Sequence, residues 1–326
     1  MIDGFEIGHH TADSEGWLTG TTVVLARDGA VGGVDVRGGG PGTRETDLLD
    51  PRAMISLVHA VVLTGGSAYG LAAADGVMAG LERSGIGFPV GPVPGDVVPI
   101  VPAAVIFDLG RGGAFGHRPN ADFGLRALAA ASPERPQSGC VGGGTGAVCG
   151  GLKSGFGYAE RRLQTGVSVA AAVVVNAGGS AVDPLTGRLY ADRSHSLPAP
   201  TDSERAAIAA AYATATPSLG TTIGVLLTDA TLTKAQAAKM AALGHDGMAR
   251  AITPVHGMFD GDTVFGLASG GQAPVDDPRH ALVQFNLLLA AAAETFADAC
   301  LDAVYAARGL GRWPGYLDVA SSVRPS

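Results

Sequence analysis

Short apolar runs broken by glycine set the rhythm of this chain. Residues 21–26 and 31–36 read as β-strands, and the Asp28-Gly29 pair between them is a turn signal, so an opening hairpin is expected. Asp50-Pro51 looks like an N-cap followed by proline at the first helical position and predicts a short helix to about His59. Residues 60–64 are a buried strand by length and content. Gly65-Gly66-Ser67-Ala68-Tyr69-Gly70 then turns into an Ala- and Leu-rich helix that reaches about Ser84. Residues 97–109 are apolar, but Pro99 and Pro102 confine them to short or edge strands. A helix follows at 122–131.

Strands are predicted at 157–162 and 167–176, the second so continuously apolar that both its faces must be buried. From Ala177 to Leu219 the composition changes to turns, a loop and a polar helix at about 203–212, the most linker-like stretch of the chain. It ends at Ser218-Leu219-Gly220-Thr221-Thr222, where an apolar strand (221–227) begins. A helix from about 234 to 245 or beyond, a strand at 263–268 and a long C-terminal helix at 278–308 complete the pattern. Hairpins mixed with helices favour an α+β layered sandwich over a doubly wound parallel sheet.

Composition narrows the function classes. Hydrophobic residues at 46% against charged residues at 16% exclude a disordered chain. No apolar run has the length of a membrane span, and the start lacks a basic-then-apolar leader, so no membrane partner and a cytoplasmic location are expected. The net charge of -8, with Arg and Lys scattered, argues against nucleic acid. Cys140, Cys149 and Cys300 have neither metal-ligand spacing nor a disulfide framework, and no metal or cofactor is called for. The 50 glycines have no collagen period and read as tight turns and close backbone approaches.

Several patterns that could carry chemistry fail on spacing. No G-x-S-x-G elbow is present, and Ser67 is followed two residues on by Tyr69. Gly142-Gly143-Gly144-Thr145-Gly146-Ala147 fits a relaxed dinucleotide pattern without the strand and long helix that should flank it. His9-His10 reads as a solvated doublet, and His245 and His256 lie near an acidic loop with no serine marked as their partner. That loop holds Asp260 and Asp262, two apart at the start of a strand, where both carboxylates point to one side. They could share a proton or accept hydrogen bonds from a hydroxyl and an ammonium; a D-G turn is the simpler reading, and the ligand count is low for calcium. Asn176 ends the most apolar strand, as a turn former or an oxyanion donor. Lys153 stands among glycines with few other charges, which alone favours the surface over a positive charge in a site. Local sequence favours Gly220-Thr221 as a loop entering a strand; the alternative is a bond whose cleavage would give Thr221 a free amine beside its hydroxyl.

Taken in order, the motifs resemble a known family. They are Gly38-Gly39-Gly40-Pro41-Gly42-Thr43-Arg44-Glu45-Thr46-Asp47, Leu63-Thr64-Gly65-Gly66-Ser67-Ala68-Tyr69-Gly70-Leu71, Val101-Pro102-Ala103-Ala104-Val105-Ile106-Phe107-Asp108, Val173-Val174-Val175-Asn176, Thr221-Thr222-Ile223-Gly224-Val225 and Asp260-Gly261-Asp262-Thr263-Val264-Phe265. Over nearly its whole length the chain resembles the self-processing peptidases of the L-aminopeptidase D-Ala-esterase/amidase type. Their relatives include β-peptidyl aminopeptidases and the endo-type nylon-oligomer hydrolase. The resemblance implies a four-layer αββα sandwich, N-terminal-nucleophile-like and akin to the ornithine-acetyltransferase superfamily. It implies one catalytic domain (1–326) that cuts itself into chains 1–220 and 221–326, acts on a small peptide or amide and assembles as a homo-oligomer, commonly a tetramer. It places Thr221 at the nucleophile and Asn176 at the oxyanion-stabilising amide. Lys153 falls at the lysine near the nucleophile, Asp260 and Asp262 at the pair that orients it, and Tyr69 at a pocket-lining tyrosine. Gly220 stands where many relatives carry Asn, and Thr221 with two Asp is closer to the nylon-oligomer branch than to members with Ser and a Ser/Glu pair.

A threonine hydroxyl is a weak nucleophile and needs a neighbouring base; a freed α-amino group, titrating near 8, can supply it. Two other readings use the same residues: an uncleaved binding protein, and acyl transfer to an amine.

Overall fold

The computed structural model describes residues 1–215 and 219–324, so Ser218 of the approach to Gly220 lies outside the described residues. The chain runs β1 (Glu6–Ala12), β2 (Thr19–Val36), β3 (Thr43–Arg44), β4 (Leu57–Thr64), α1 (Ser67–Gly70) and α2 (Ala73–Arg83). Then come β5 (Phe88–Pro89), β6 (Val97–Val98), β7 (Ala103–Val105), α3 (Ala121–Ala129), β8 (Val148–Cys149), β9 (Leu152–Lys153), β10 (Phe156–Arg162) and β11 (Ser168–Asn176). The last part holds α4 (Asp202–Thr214), β12 (Thr221–Thr228), α5 (Lys234–Ala251), β13 (Thr263–Ala268) and α6 (Pro278–Tyr305).

Alternating side chains sort the strands into layers. On β11, β12 and β13, Val173, Val175, Leu226 and Val264 pack with Met240 and Met248 of α5 and Phe296 and Cys300 of α6. Their neighbours Val174, Ile223, Val225 and Phe265 face the other way and meet Val24, Val61, Leu63 and Ala104 of β2, β4 and β7. Val23, Leu25, Ala60 and Val62 turn outward again, onto Ala74, Val77 and Leu81 of α2 and Ala127 of α3. Three apolar layers thus separate four structural ones, helix, strand, strand and helix, which is the expected αββα sandwich. Hydrogen bonding joins the two strand layers into one sheet, in the order β10-β11-β12-β13-β2-β4-β7-β3 with β1 also on β2. Glycine lets helices lie directly on strands: a Cβ at Gly33 would come within 2.2 Å of the Ala238 nitrogen, and one at Gly157 within 2.0 Å of the Ala299 carbonyl oxygen.

Three expectations are corrected. Residues 21–26 and 31–36 are not a hairpin but two halves of the single strand β2. Its register against β4 shifts between Leu25 and Ala30, and Gly29 (φ +79°) takes up the irregularity as a bulge, not a turn. β2 pairs with β1 along its first half and β13 along its second, so staying extended satisfies backbone groups on both sides. The helix expected after Asp50-Pro51 is absent: a 3-10 turn spans Asp47–Leu49, and β4 starts at Leu57. The Asp50 carboxylate binds the Arg52 amide at 2.8 Å, and Lys234 Nζ holds the carbonyls of Leu48, Ala53 and Ile55 at 3.0, 3.0 and 2.8 Å. These bonds replace those a helix would make. His9 is not solvated: its Nδ1 lies 2.9 Å from Thr22 Oγ1, its ring meets Phe156 edge-on, and burial lowers its pKa to about 4.

Candidate active site

The sheet brings the polar strand ends together. β11 and β12 are antiparallel, and their register sets Asn176 directly opposite Thr221. β13 runs parallel to β12 on the other side, so the loop before it, with Asp260 and Asp262, arrives at the same end. Gly220 bridges to Asp260: its amide donates to the Phe259 carbonyl at 3.0 Å, and its carbonyl accepts from the Gly261 amide at 3.2 Å.

The Thr221 hydroxyl, buried at 5% exposure, donates to the carbonyl of Gly220, the residue before it, and accepts from the Gly261 amide at 3.2 Å. Asp262 Oδ1 accepts the Thr222 amide at 2.7 Å. Its Oδ2 accepts the backbone amide of His256 at 3.0 Å and faces the His256 ring nitrogen Nδ1 at 2.8 Å. Asp260 accepts the Gly178 and Gly257 amides, each at 3.0 Å. Burial raises the Asp260 pKa, and the Asp262 charge adds to the rise. Neither carboxylate takes a hydrogen bond from the Thr221 hydroxyl in this uncut chain. Asp262 holds the residue after it, and Asp260 lies against the residue before it: a Cβ added to Gly220 would sit 2.4 Å from Asp260 Oδ1.

That added Cβ would also come within 2.2 Å of the Gly178 nitrogen and 2.8 Å of the Ala177 carbonyl carbon, so the Gly220-Thr221 bond is seated where no side chain fits. The Gly38-Gly39-Gly40 motif covers the acidic loop from the other side. Gly38 donates to the Asp262 carbonyl at 3.2 Å and Gly40 to the Asp260 carbonyl at 2.9 Å, and a Cβ at Gly38 would fall 2.3 Å from the Asp262 nitrogen.

Asn176 is fully buried. Its Oδ1 accepts from the Val148 amide at 3.1 Å and from Arg111 Nη1, and its Nδ2 donates to the Phe107 carbonyl at 3.3 Å. Arg111 also binds the Gly146 carbonyl at 2.6 Å. Two donors on one amide atom fix it as the oxygen, which sets the way the amide faces. Burial brings the Arg111 pKa down to about 10. Sequence reading missed Arg111; it lies in a glycine-rich loop, and its partner is far along the chain. The one available signal was an isolated arginine three residues after the motif that ends at Phe107-Asp108.

Lys153 is not on the surface but fully buried, its Nζ held by the carbonyls of Ala147 (2.8 Å), Gly144 (3.2 Å) and Ser154. Burial lowers its pKa to about 8. Ala147 adjoins the Val148 amide that binds Asn176, so Lys153 stands behind Asn176, and it makes no hydrogen bond to Thr221. Glycines 142 to 144 bring this turn against the strands: Gly143 donates to Thr22 Oγ1 at 3.0 Å, and a Cβ there would lie 2.5 Å from the Leu63 carbonyl oxygen. Tyr69, on α1, is 55% exposed with the Arg118 guanidinium 3.7 Å above its ring. Among the described residues it makes no side-chain hydrogen bond to Thr221, Asn176, Lys153, Asp260 or Asp262, so the structure does not bring it into the cluster.

Known proteins match this chain over most of its length. The family model described as Peptidase family S58 matches residues 2–314. A Mycobacterium tuberculosis protein named an uncharacterized aminopeptidase is 46% identical, across 98% of this chain and 96% of its own length. A 6-aminohexanoate-oligomer endohydrolase of Paenarthrobacter ureafaciens is 30% identical, across 92% of this chain and 84% of its own. The fold matches a Burkholderia sp. beta-aminopeptidase with a TM-score of 0.73, at 23% identity, over 99% of this chain and 94% of that one. It also matches the L-aminopeptidase D-Ala-esterase/amidase of Ochrobactrum anthropi, described as a variant of the Ntn hydrolase fold, with a TM-score of 0.68 at 20% identity, over 96% and 87%. The chain belongs to peptidase family S58 and is a hydrolase of peptide or other amide bonds.

Proposed function

We propose that this peptidase cuts its own Gly220-Thr221 bond and then hydrolyses amides through an ester on Thr221. One observation carries the reading: the Thr221 hydroxyl lies against the Gly220 carbonyl, whose oxygen already accepts an N–H from Gly261. Attack of Oγ on the Gly220 carbon breaks the C–N bond and moves the acyl group to oxygen. The hydroxyl proton passes to the departing nitrogen, and water then hydrolyses the ester. Asp260, beside Gly220 with its pKa raised, is placed to take a proton in this step. The Gly261 N–H stabilises the oxyanion. In the cut enzyme the free amine of Thr221 serves as base toward its own hydroxyl, with Asp260 next to the space that Gly220 vacates. Asn176, opposite Thr221, donates to the oxyanion of the substrate.

The names of the relatives support short peptides or linear oligoamides as substrates. The apolar Leu282, Val283 and Leu287, exposed on the first turns of α6, support assembly of several copies, which light scattering tests. Among the described residues no helix is long and apolar enough to cross a membrane.

The test is a denaturing gel of purified protein. Bands for residues 1–220 and 221–326 are expected, with Thr221→Ala giving one full-length band and no hydrolysis of aminoacyl amides or amide oligomers. An uncut, inactive wild-type chain after long incubation would refute the reading.

A further inference from the structure

Asp262 has more holding it than its place near the nucleophile requires. One oxygen accepts the Thr222 amide at 2.7 Å. The other receives both the backbone N–H of His256 at 3.0 Å and its ring nitrogen Nδ1 at 2.8 Å. His256 makes both contacts from a left-handed backbone, with a φ of +60°. The left-handed region disfavours residues with a Cβ, and such strain persists where the surroundings enforce it. Here they do. The His256 ring meets the His245 ring edge-to-face, with centroids 4.8 Å apart. His245, buried on α5, is itself anchored through Nε2 to the Asp35 carbonyl of β2 at 3.0 Å. The line Asp35, His245, His256, Asp262, Thr222 runs from one strand to the residue after the nucleophile and joins β2, α5 and β12.

We propose that His256 is a positioning residue of this peptidase. By clamping Asp262 it fixes the Thr222 amide, and with it the angle at which the Thr221 hydroxyl meets the carbonyl it attacks. This rests on the reading of Thr221 as nucleophile. The ring works through Nδ1–H alone. Nδ1 faces an oxygen that already accepts a backbone N–H, so it is the donor. No proton leaves it during the reaction. Asp262 is thereby held in place by Thr222 and His256 together.

The proposal singles out one atom, and paired substitutions test it. Asparagine places an N–H donor where Nδ1 stands and tolerates the left-handed backbone; glutamine carries its donor one bond further out. His256→Asn should cut itself and turn over substrate within about twofold of wild type, whereas His256→Gln and His256→Ala should slow both by about tenfold or more. In the cut variants kcat should carry the loss, with KM unchanged within about twofold, because the acyl-binding surface is untouched. Asn and Gln variants that behave alike, or an Ala variant as fast as wild type, would overturn the proposal, as would failure of the Asn variant to fold. A wild-type chain that neither cuts nor hydrolyses removes the nucleophile itself, and shows this before any variant is compared.

Discussion

Two charged regions meet at Thr221, and opposite ends of the peptide group solvate them. On the outer side Asp260 and Asp262 are held by the backbone amides of Gly178, Gly257, Thr222 and His256. On the inner side Lys153 and Arg111 are held by the carbonyls of Gly144, Ala147, Ser154 and Gly146. Neither region neutralises its charges mainly by ion pairing. A carboxylate among amides keeps its acceptors occupied, and a buried cation among carbonyls keeps its donors occupied. Each pays a desolvation penalty, which raises the pKa of Asp260 and lowers those of Lys153 and Arg111. Asn176 and Thr221, paired across β11 and β12, form the seam between them. The proposed nucleophile thus lies between buried carboxylates on one side and buried cations on the other. The backbone solvates both because glycine lets it come close enough.

The largest expected effect tests the rigidity of the outer region. Gly220→Ala puts a methyl 2.2 Å from the Gly178 nitrogen and 2.8 Å from the Ala177 carbonyl carbon. Backbone cannot yield there without moving the Gly220-Thr221 bond, and on the proposed reading a displacement near 1 Å costs about a hundredfold in cleavage rate. Band intensities over time on a denaturing gel should show cleavage slowed by about that factor or more. Cleavage at the wild-type rate would show that the outer loop relaxes freely, and the comparison would lose its fixed side.

Next is the seam. In Asn176→Asp the side-chain oxygen that binds Arg111 and the Val148 amide is kept, but the N–H donor is lost. Activity of the cut enzyme should fall by about a hundred- to a thousandfold in kcat, the usual cost of an oxyanion donor, and the bond to the Phe107 carbonyl is lost with it. A loss confined to KM would place Asn176 in binding and not at the oxyanion.

The two regions were not equally legible from sequence. The strand ends that carry Asn176, Thr221 and Thr263 could be read to the residue, because buried apolar runs stop where polar residues begin. The six ordered motifs pointed to the family. β2 was misread because its bulge at Gly29 carries the same Asp-Gly signal as a hairpin, and only pairing with β1, β4 and β13 tells them apart. Asp50-Pro51 has a true helix-start signature, overridden by the demands of β4. Lys153 could be placed near the site by resemblance, but local composition favoured the surface, since nothing along the chain shows three carbonyls converging on it. Arg111 lies outside every motif, and its role depends on an amide in another strand. The outer region was legible as a local sequence pattern, whereas the inner one exists only after folding.

The smallest expected effect concerns that inner region and is read in stability. Burial holds Lys153 at a pKa of about 8, below its ordinary value of 10.5. Below both values the native and unfolded chains each carry the proton, and the native state bears the full cost of the buried charge. As pH rises through the folded value the native lysine loses its proton while the unfolded one keeps it. The unfolded state then binds more protons, so stability rises with pH until the unfolded value is passed. Between about pH 7 and about pH 10 this contributes roughly 1–3 kcal/mol, the order set by the size of the shift. Lys153→Met removes the titration and keeps most of the volume. Urea unfolding of both proteins across that range should show the wild type gaining on the variant as pH rises. Titrating groups not coupled to Lys153 are common to both and cancel in the difference. A parallel pair of curves would mean that the three carbonyls solvate the ammonium as well as water does. A wild type that loses ground with rising pH would mean that Lys153 is stabilised by its charge.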